Sequence, residues 1–182
     1  MTTSAHSAVA IGVQRVGFET VFLGTGRVSR NWGPTLRGGF GLALRKVSCA
    51  LGRDKCEDCL LGDSCAYGYA FETPIPAHAP VMRKYTQAPH PFVFEPHAAE
   101  DPRVNSGERA SHALVVVGEA IRYLPHFFLA LEELGRAGLG RDRVPYRVES
   151  VWVPDGQAIY RRQEGQGACQ LLRPWRRSGQ RQ

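Results

Sequence analysis

The chain has 182 residues, 43% of them hydrophobic, which suits one domain of ordinary size with its own core. No apolar run approaches the roughly 20 residues of a membrane span, and "SAVAIGV" near the start is too short for a signal core, so a cytoplasmic protein is expected. The net charge is +6, and of 23 cationic residues only Lys46, Lys55 and Lys84 are lysines; arginine forks phosphate and stacks on bases, which fits RNA or DNA, although a GC-rich genome also favours arginine.

Residues 1–16 read as a loose start and 17–160 as one domain. "RVGFETVFLG" alternates apolar and polar positions as a first strand does. "GTGRVSRNWGP" follows as a glycine-rich loop carrying Arg27 and Arg30, with Pro34 placed to open a helix. Leu36, Phe40, Ala43, Leu44, Val47 and Leu51 then recur at helical spacing and predict one buried stripe, beside a polar face of Arg37, Gly41, Arg45 and Ser48. That helix carries Gly38, Gly39 and Gly41, each costing roughly 1 kcal/mol against alanine, so something approaches its backbone closely: a ligand, or a packed neighbour.

Four of the five cysteines crowd into an insertion spanning 49–80, as C-x6-C-x2-C-x5-C at Cys49, Cys56, Cys59 and Cys65. Four thiolates so close suit a tetrahedral Zn²⁺ site; an iron–sulfur cluster or a set of free thiols are the alternatives. Cys169 reads as an ordinary free thiol. "YGYAFETPIPAHAP" is a proline-rich connector, while "HPFVFEP" and "HALVVVGEA" read as two strands flanking a long polar loop. Leu124, Phe127, Phe128, Leu131 and Leu134 mark a second helix, opened near Pro125 and stopped by Gly135 and Gly138, and "VPYRVESVWVP" supplies a last strand.

The order β-α-β-β-α-β predicts an α+β, ferredoxin-like domain with both helices on one sheet face, the other left for a ligand or another domain. Residues 161–182 are polar, basic and aperiodic, and read as a disordered tail or the remnant of a second domain. The loop before the first helix offers backbone N–H groups and arginines to a phosphate, without the Gly-Lys-Ser/Thr of a P-loop. "GRAGLGRDR", with Arg141 and Arg143, is either a helix cap with a basic loop or an RNA contact.

"PTLRGGFGLALRKVSC", the cysteine set, "YGYAFETP", "HPFVFEP" and "YLPHFFLALEELGRAGLGRDR" come in an order and spacing that resemble the CRISPR precursor-RNA processing endoribonucleases of the RAMP superfamily, over roughly residues 17–153. The resemblance implies ferredoxin-like domains, usually in tandem, and RNA held by basic faces and glycine-rich loops. Here those are Arg27, Arg30, Arg37, Gly38, Gly41, Arg45, Arg141 and Arg143. It also implies metal-independent attack of a ribose 2′-OH on its own 3′-phosphate, which needs a proton acceptor and a proton donor. Many relatives carry a His or Tyr at or just before the first helix; residues 29–48 contain neither, which leaves His126, His112 and Lys46 as candidates by residue type. One domain alone leaves the cleft of the tandem arrangement incomplete, so a truncated chain, or a half-protein pairing with a second RAMP domain or other CRISPR effector subunits, is expected. The alternatives are a non-catalytic RNA-binding subunit of a CRISPR effector and a zinc-stabilised interaction module.

Overall fold

The computed structural model describes residues 11–52, 55–56, 59–75, 85, 87–96, 101–162 and 170–171. Cys169, most of the loose start and most of the basic tail lie outside the described residues. β1 (Val13–Phe22) follows the alternation: Val16, Phe18, Thr20 and Phe22 are buried on one side. α1 (Trp32–Ser48) buries Leu36, Phe40, Ala43 and Leu44, as the helical period requires. It stops at Ser48, so Leu51, expected to extend the stripe, is exposed instead. Pro34 sits inside the first turn, where an N–H has no intrahelical partner to lose.

β3 (Phe92–Glu95) and β5 (Arg109–Val117) are the two expected middle strands. A 3-10 turn over Gly118–Tyr123 leads into α2 (Leu124–Ala137), which has Pro125 in its first turn and is capped by Gly138 at φ 86°. Gly135 is not the stop that its type implied. It lies within the last turn of α2, where a Cβ would collide with the Tyr146 carbonyl, so its missing side chain is what lets α2 touch β6 (Tyr146–Trp152).

The four long strands lie in the order β3-β5-β1-β6, every neighbouring pair antiparallel. With the connections β1-α1-β3 and β5-α2-β6 this is the split βαβ arrangement, consistent with the ferredoxin-like fold expected of an α+β chain. β7 (Ala158–Arg161) and β8 (Gln170–Leu171) extend the sheet beyond β6, drawing in Arg161, Gln170 and Leu171 of the stretch expected to have no structure. β2 (Gly26–Arg27) and β4 (Arg103–Val104) form a separate two-stranded ribbon.

The core lies between the sheet and the two helices. Phe40 of α1 meets Phe92, Phe94 and Phe127 edge-on, with ring centroids 5.1–5.5 Å apart. The other sheet face is a mosaic. Arg15 pairs with Glu95 at 2.8 Å, Arg109 with Glu19 at 2.9 Å and Arg147 with Glu149, all from outward positions, while Val13 and Val93 stand exposed between them. Arg15, Arg109 and Arg147 of that face are therefore each neutralised by a glutamate.

Candidate nucleic-acid interface

Register places three loops at one end of the sheet. β1 leaves its pairing with β5 and β6 at Val21↔Arg109 and Phe22↔Tyr146, so the segments 23–31, 101–108 and 138–145 emerge side by side. Short backbone bonds fasten them: the Phe22 amide donates to Glu108 O (2.9 Å), Leu23 to Pro145 O (2.8 Å) and Val28 to Pro102 O (2.8 Å). The Arg27 amide donates to an Asp142 carboxylate oxygen at 2.8 Å, and Asp142 returns its own amide to Arg27 O.

The two glycine-bearing loops that looked separate in sequence thus touch. Gly140, at φ 78°, presses against the Val28 backbone, and Gly138 against the Arg143 carbonyl. The consequence is a set of exposed guanidinium groups on adjoining segments: Arg27 and Arg30 from the first loop, Arg141 and Arg143 from the last. Arg103, which sequence reasoning missed, joins them because β4 pairs with β2 and sets Arg103 opposite Arg27. Its signal in sequence was a two-residue pairing across a long separation, too short to register as a strand.

Among the described residues Arg15, Arg109, Arg136, Arg147, Arg162 and Lys46 form a first group, each paired to a glutamate. Arg27, Arg30, Arg103, Arg141 and Arg143 form a second, exposed together on the adjoining loops and in no ion pair among the described residues; Lys55, Arg122 and Arg161, on other segments, are in none either. α1 begins in the midst of this second group, with no acidic residue in its first turn and no side-chain cap on Asn31.

The α1 arginines are placed differently. Arg37 stands 5.9 Å over both the Phe71 and Phe92 rings, and Arg45 stands 5.7 Å over Tyr67. Tyr67 and Phe71 are themselves stacked, 5.5 Å apart and 7° from parallel, on the π-helical turn Gly68–Glu72 and the residue before it. Burial, then the Glu72 carboxylate, pushes the Tyr67 phenol up from its ordinary pKa.

The three glycines of α1 have three different surroundings. A Cβ on Gly39 would stand 2.6 Å from Leu134 of α2, and one on Gly41 would stand 2.8 Å from the Phe71 ring; both are packing glycines. Gly41, expected beside RNA, is therefore covered by protein. Gly38 is exposed with open space around it.

The histidines are not brought to the arginine loops. His112 is buried in β5, stacked on Phe18 at 5.1 Å and tilted against Trp32 at 5.4 Å, with Nε2 3.4 Å from the Thr20 hydroxyl. His126 is exposed in the first turn of α2, edge-on to Tyr123, whose hydroxyl accepts a 2.7 Å hydrogen bond from Arg122. α2 starts where β5 ends, so His126 and the loops lie about 25–30 Å apart along the strands, at 3.3–3.4 Å per residue. Lys46 is tied across the helices to Glu133 at 2.5 Å, and that bond holds the Glu133 carboxyl below its ordinary pKa.

All four clustered cysteines are half-buried, and none is in a disulfide. Cys65 Sγ approaches Ser48 O at 4.0 Å, which returns the chain to the neighbour of Cys49. Burial first, and then the Glu72 carboxylate and the Cys65 and Cys49 thiols, push the Cys56 thiol up, against the opposing pull of Arg45. Among the described residues no three His, Cys, Asp or Glu side chains form a coordinating group, and no helix is long and apolar enough to cross a membrane.

The chain is 33% identical over 135 residues to an uncharacterized protein of Archaeoglobus fulgidus, a match covering 70% of this chain and 44% of that protein, so the chain spans less than half of that relative's length. Its fold is similar to that of a chain in the crystal structure of the Csm3-Csm4 subcomplex of the type III-A CRISPR-Cas interference complex, with TM-score 0.53, 14% identity and 79% of each chain covered. Residues 11–172 match the model of the AF_1859_N family, described as an N-terminal domain, and the chain belongs to that family.

Proposed function

We propose that this domain is a CRISPR-associated RNA-binding module that grips the sugar–phosphate backbone with the arginines of its three adjoining loops. The observation that carries this reading is the convergence of exposed arginines on three loops that are fastened to one another. Arg15, Arg109 and Arg147 on the sheet face are neutralised by glutamates, whereas Arg27, Arg30, Arg103, Arg141 and Arg143 converge in no ion pair, where phosphate oxygens are the natural partners for planar guanidinium forks. The CRISPR assignment draws on the motif resemblance and on the fold shared with a chain of a CRISPR subcomplex. A second RAMP domain or another effector subunit is the fitting protein partner.

Binding is favoured over rapid cleavage. Proton transfer needs a titrating group within hydrogen-bond reach of the reacting atoms. His112 is enclosed by Phe18 and Trp32, and His126 lies at the opposite end of the sheet from the arginines.

The test is anisotropy of a labelled CRISPR repeat RNA over a salt series. Arg27→Ala and Arg141→Ala should each weaken binding and reduce the salt slope by about 0.7, the counterion release of one single-strand phosphate contact. Arg109→Ala should leave the slope unchanged. Wild-type binding that ignores salt overturns the reading.

A further inference from the structure

We propose that Cys49, Cys56, Cys59 and Cys65 close on one Zn²⁺ ion, a structural centre that locks the Ala66–Glu72 turn against α1. The backbone brings the two ends of the cysteine segment together. The 17-residue segment returns on itself, bringing Cys65 Sγ to 4.0 Å from Ser48 O, beside Cys49. Cys56 O accepts the Cys59 amide at 3.1 Å and Cys59 O accepts the Gly62 amide at 2.9 Å, two successive tight turns that put the C-x2-C pair on one knuckle. All four thiols are half-buried and unbridged.

The donor chemistry is specific. Four thiolates without oxygen or water ligands suit the tetrahedral, closed shell of structural zinc, with no position left open for Lewis-acid chemistry. The thiols turn inward as the ion binds and release their protons to solvent, so the folded backbone and the metal complete the site together.

What the centre would hold is visible downstream. The Cys65 carbonyl accepts the Tyr69 amide at 2.9 Å, and the Gly68 α-carbon is so close to Gly62 O that a Cβ would stand 2.9 Å from it. From this anchored turn Tyr67 and Phe71 reach under Arg45 and Arg37. The cysteine segment and the arginines of α1 are one mechanical unit.

The full chain, purified under reducing conditions without chelator, should contain one zinc per chain by elemental analysis. Replacing it with Co²⁺ should give the visible ligand-field bands and sulfur-to-metal charge transfer of a tetrahedral thiolate site. Cys59→Ser and Cys65→Ser should each weaken zinc affinity by at least the roughly 10–100-fold that changes outside the ligand shell cost, while Cys169→Ser leaves it unchanged. Should the variants fail to fold, competition of the wild-type chain with a chromophoric chelator still reads affinity and stoichiometry. A folded chain holding no zinc with all four thiols freely reactive overturns the proposal, as does iron with cluster absorbance.

Discussion

Gly140 lies with its α-carbon against the backbone of Val28, at φ 78°, and so joins the loop after α2 to the loop after β1. Any side chain there meets main-chain atoms and also carries the strain of the left-handed region. Gly140→Ala should cost about 1–3 kcal/mol in urea unfolding. Because the strain falls between two arginine loops, RNA affinity of the folded variant should fall as well, even though no charge is lost.

The glycines of α1 give a sharper contrast. Gly38→Ala meets open space on a helix and should stabilise the chain by about 0.5–1 kcal/mol. Gly39→Ala and Gly41→Ala must displace Leu134 and Phe71, and should destabilise it by about 1–3 kcal/mol. Thermal denaturation of the three variants side by side decides this. A common sign for all three would refute the distinction.

From sequence alone the three glycines were indistinguishable, because what touches them comes from α2 and from the 66–72 turn, far along the chain. The apolar periods of β1, α1, β5 and α2 were legible, since each buries one face and the period reports that directly. The parity of His112 was legible too in principle: it shares the alternation of Ala110, Leu114 and Val116, which face the core. Its residue type drew attention to chemistry instead. The β2–β4 ribbon and the added strands β7 and β8 carry two to four residues each, too few for any period to show.

The histidines should separate in a stability assay. His112→Ala empties the space between Phe18 and Trp32 and should cost about 2–4 kcal/mol as a cavity. Exposed His126→Ala should stay within about 0.5 kcal/mol of wild type. Incubated with repeat RNA in EDTA, the wild-type chain should bind but yield little 2′,3′-cyclic phosphate. Rapid cleavage abolished by His126→Ala would name that residue as the proton carrier.

Tyr146 gives a pH signature. Its hydroxyl donates to Leu131 O at 2.9 Å inside the core, and burial, with the Glu132 charge adding to it, pushes the phenol far up from its ordinary value. The folded chain keeps this proton at a pH where the unfolded chain releases it, near 10. Stability is therefore fully present below about pH 10 and falls as pH rises above it. The phenolate absorbance of Tyr146 should appear together with unfolding in an alkaline titration, and Tyr146→Phe should remove that component. A phenolate that forms while the far-UV spectrum remains native would contradict it.

The ribbon of Gly26–Arg27 with Arg103–Val104 bears on how tightly a flexible strand of nucleic acid can be held. Ordering a mobile arginine loop at the moment of association costs about 1–2 kcal/mol of backbone entropy per residue, which is subtracted from whatever the phosphate contacts supply. Here the loops are already spliced to one another by the ribbon, by Asp142 and by the amide of Val28, so that entropy is lost during folding. Association is then limited by the long side chains alone, and cutting the splice with Asp142→Ala should slow capture of RNA and hasten its release without removing a single cation.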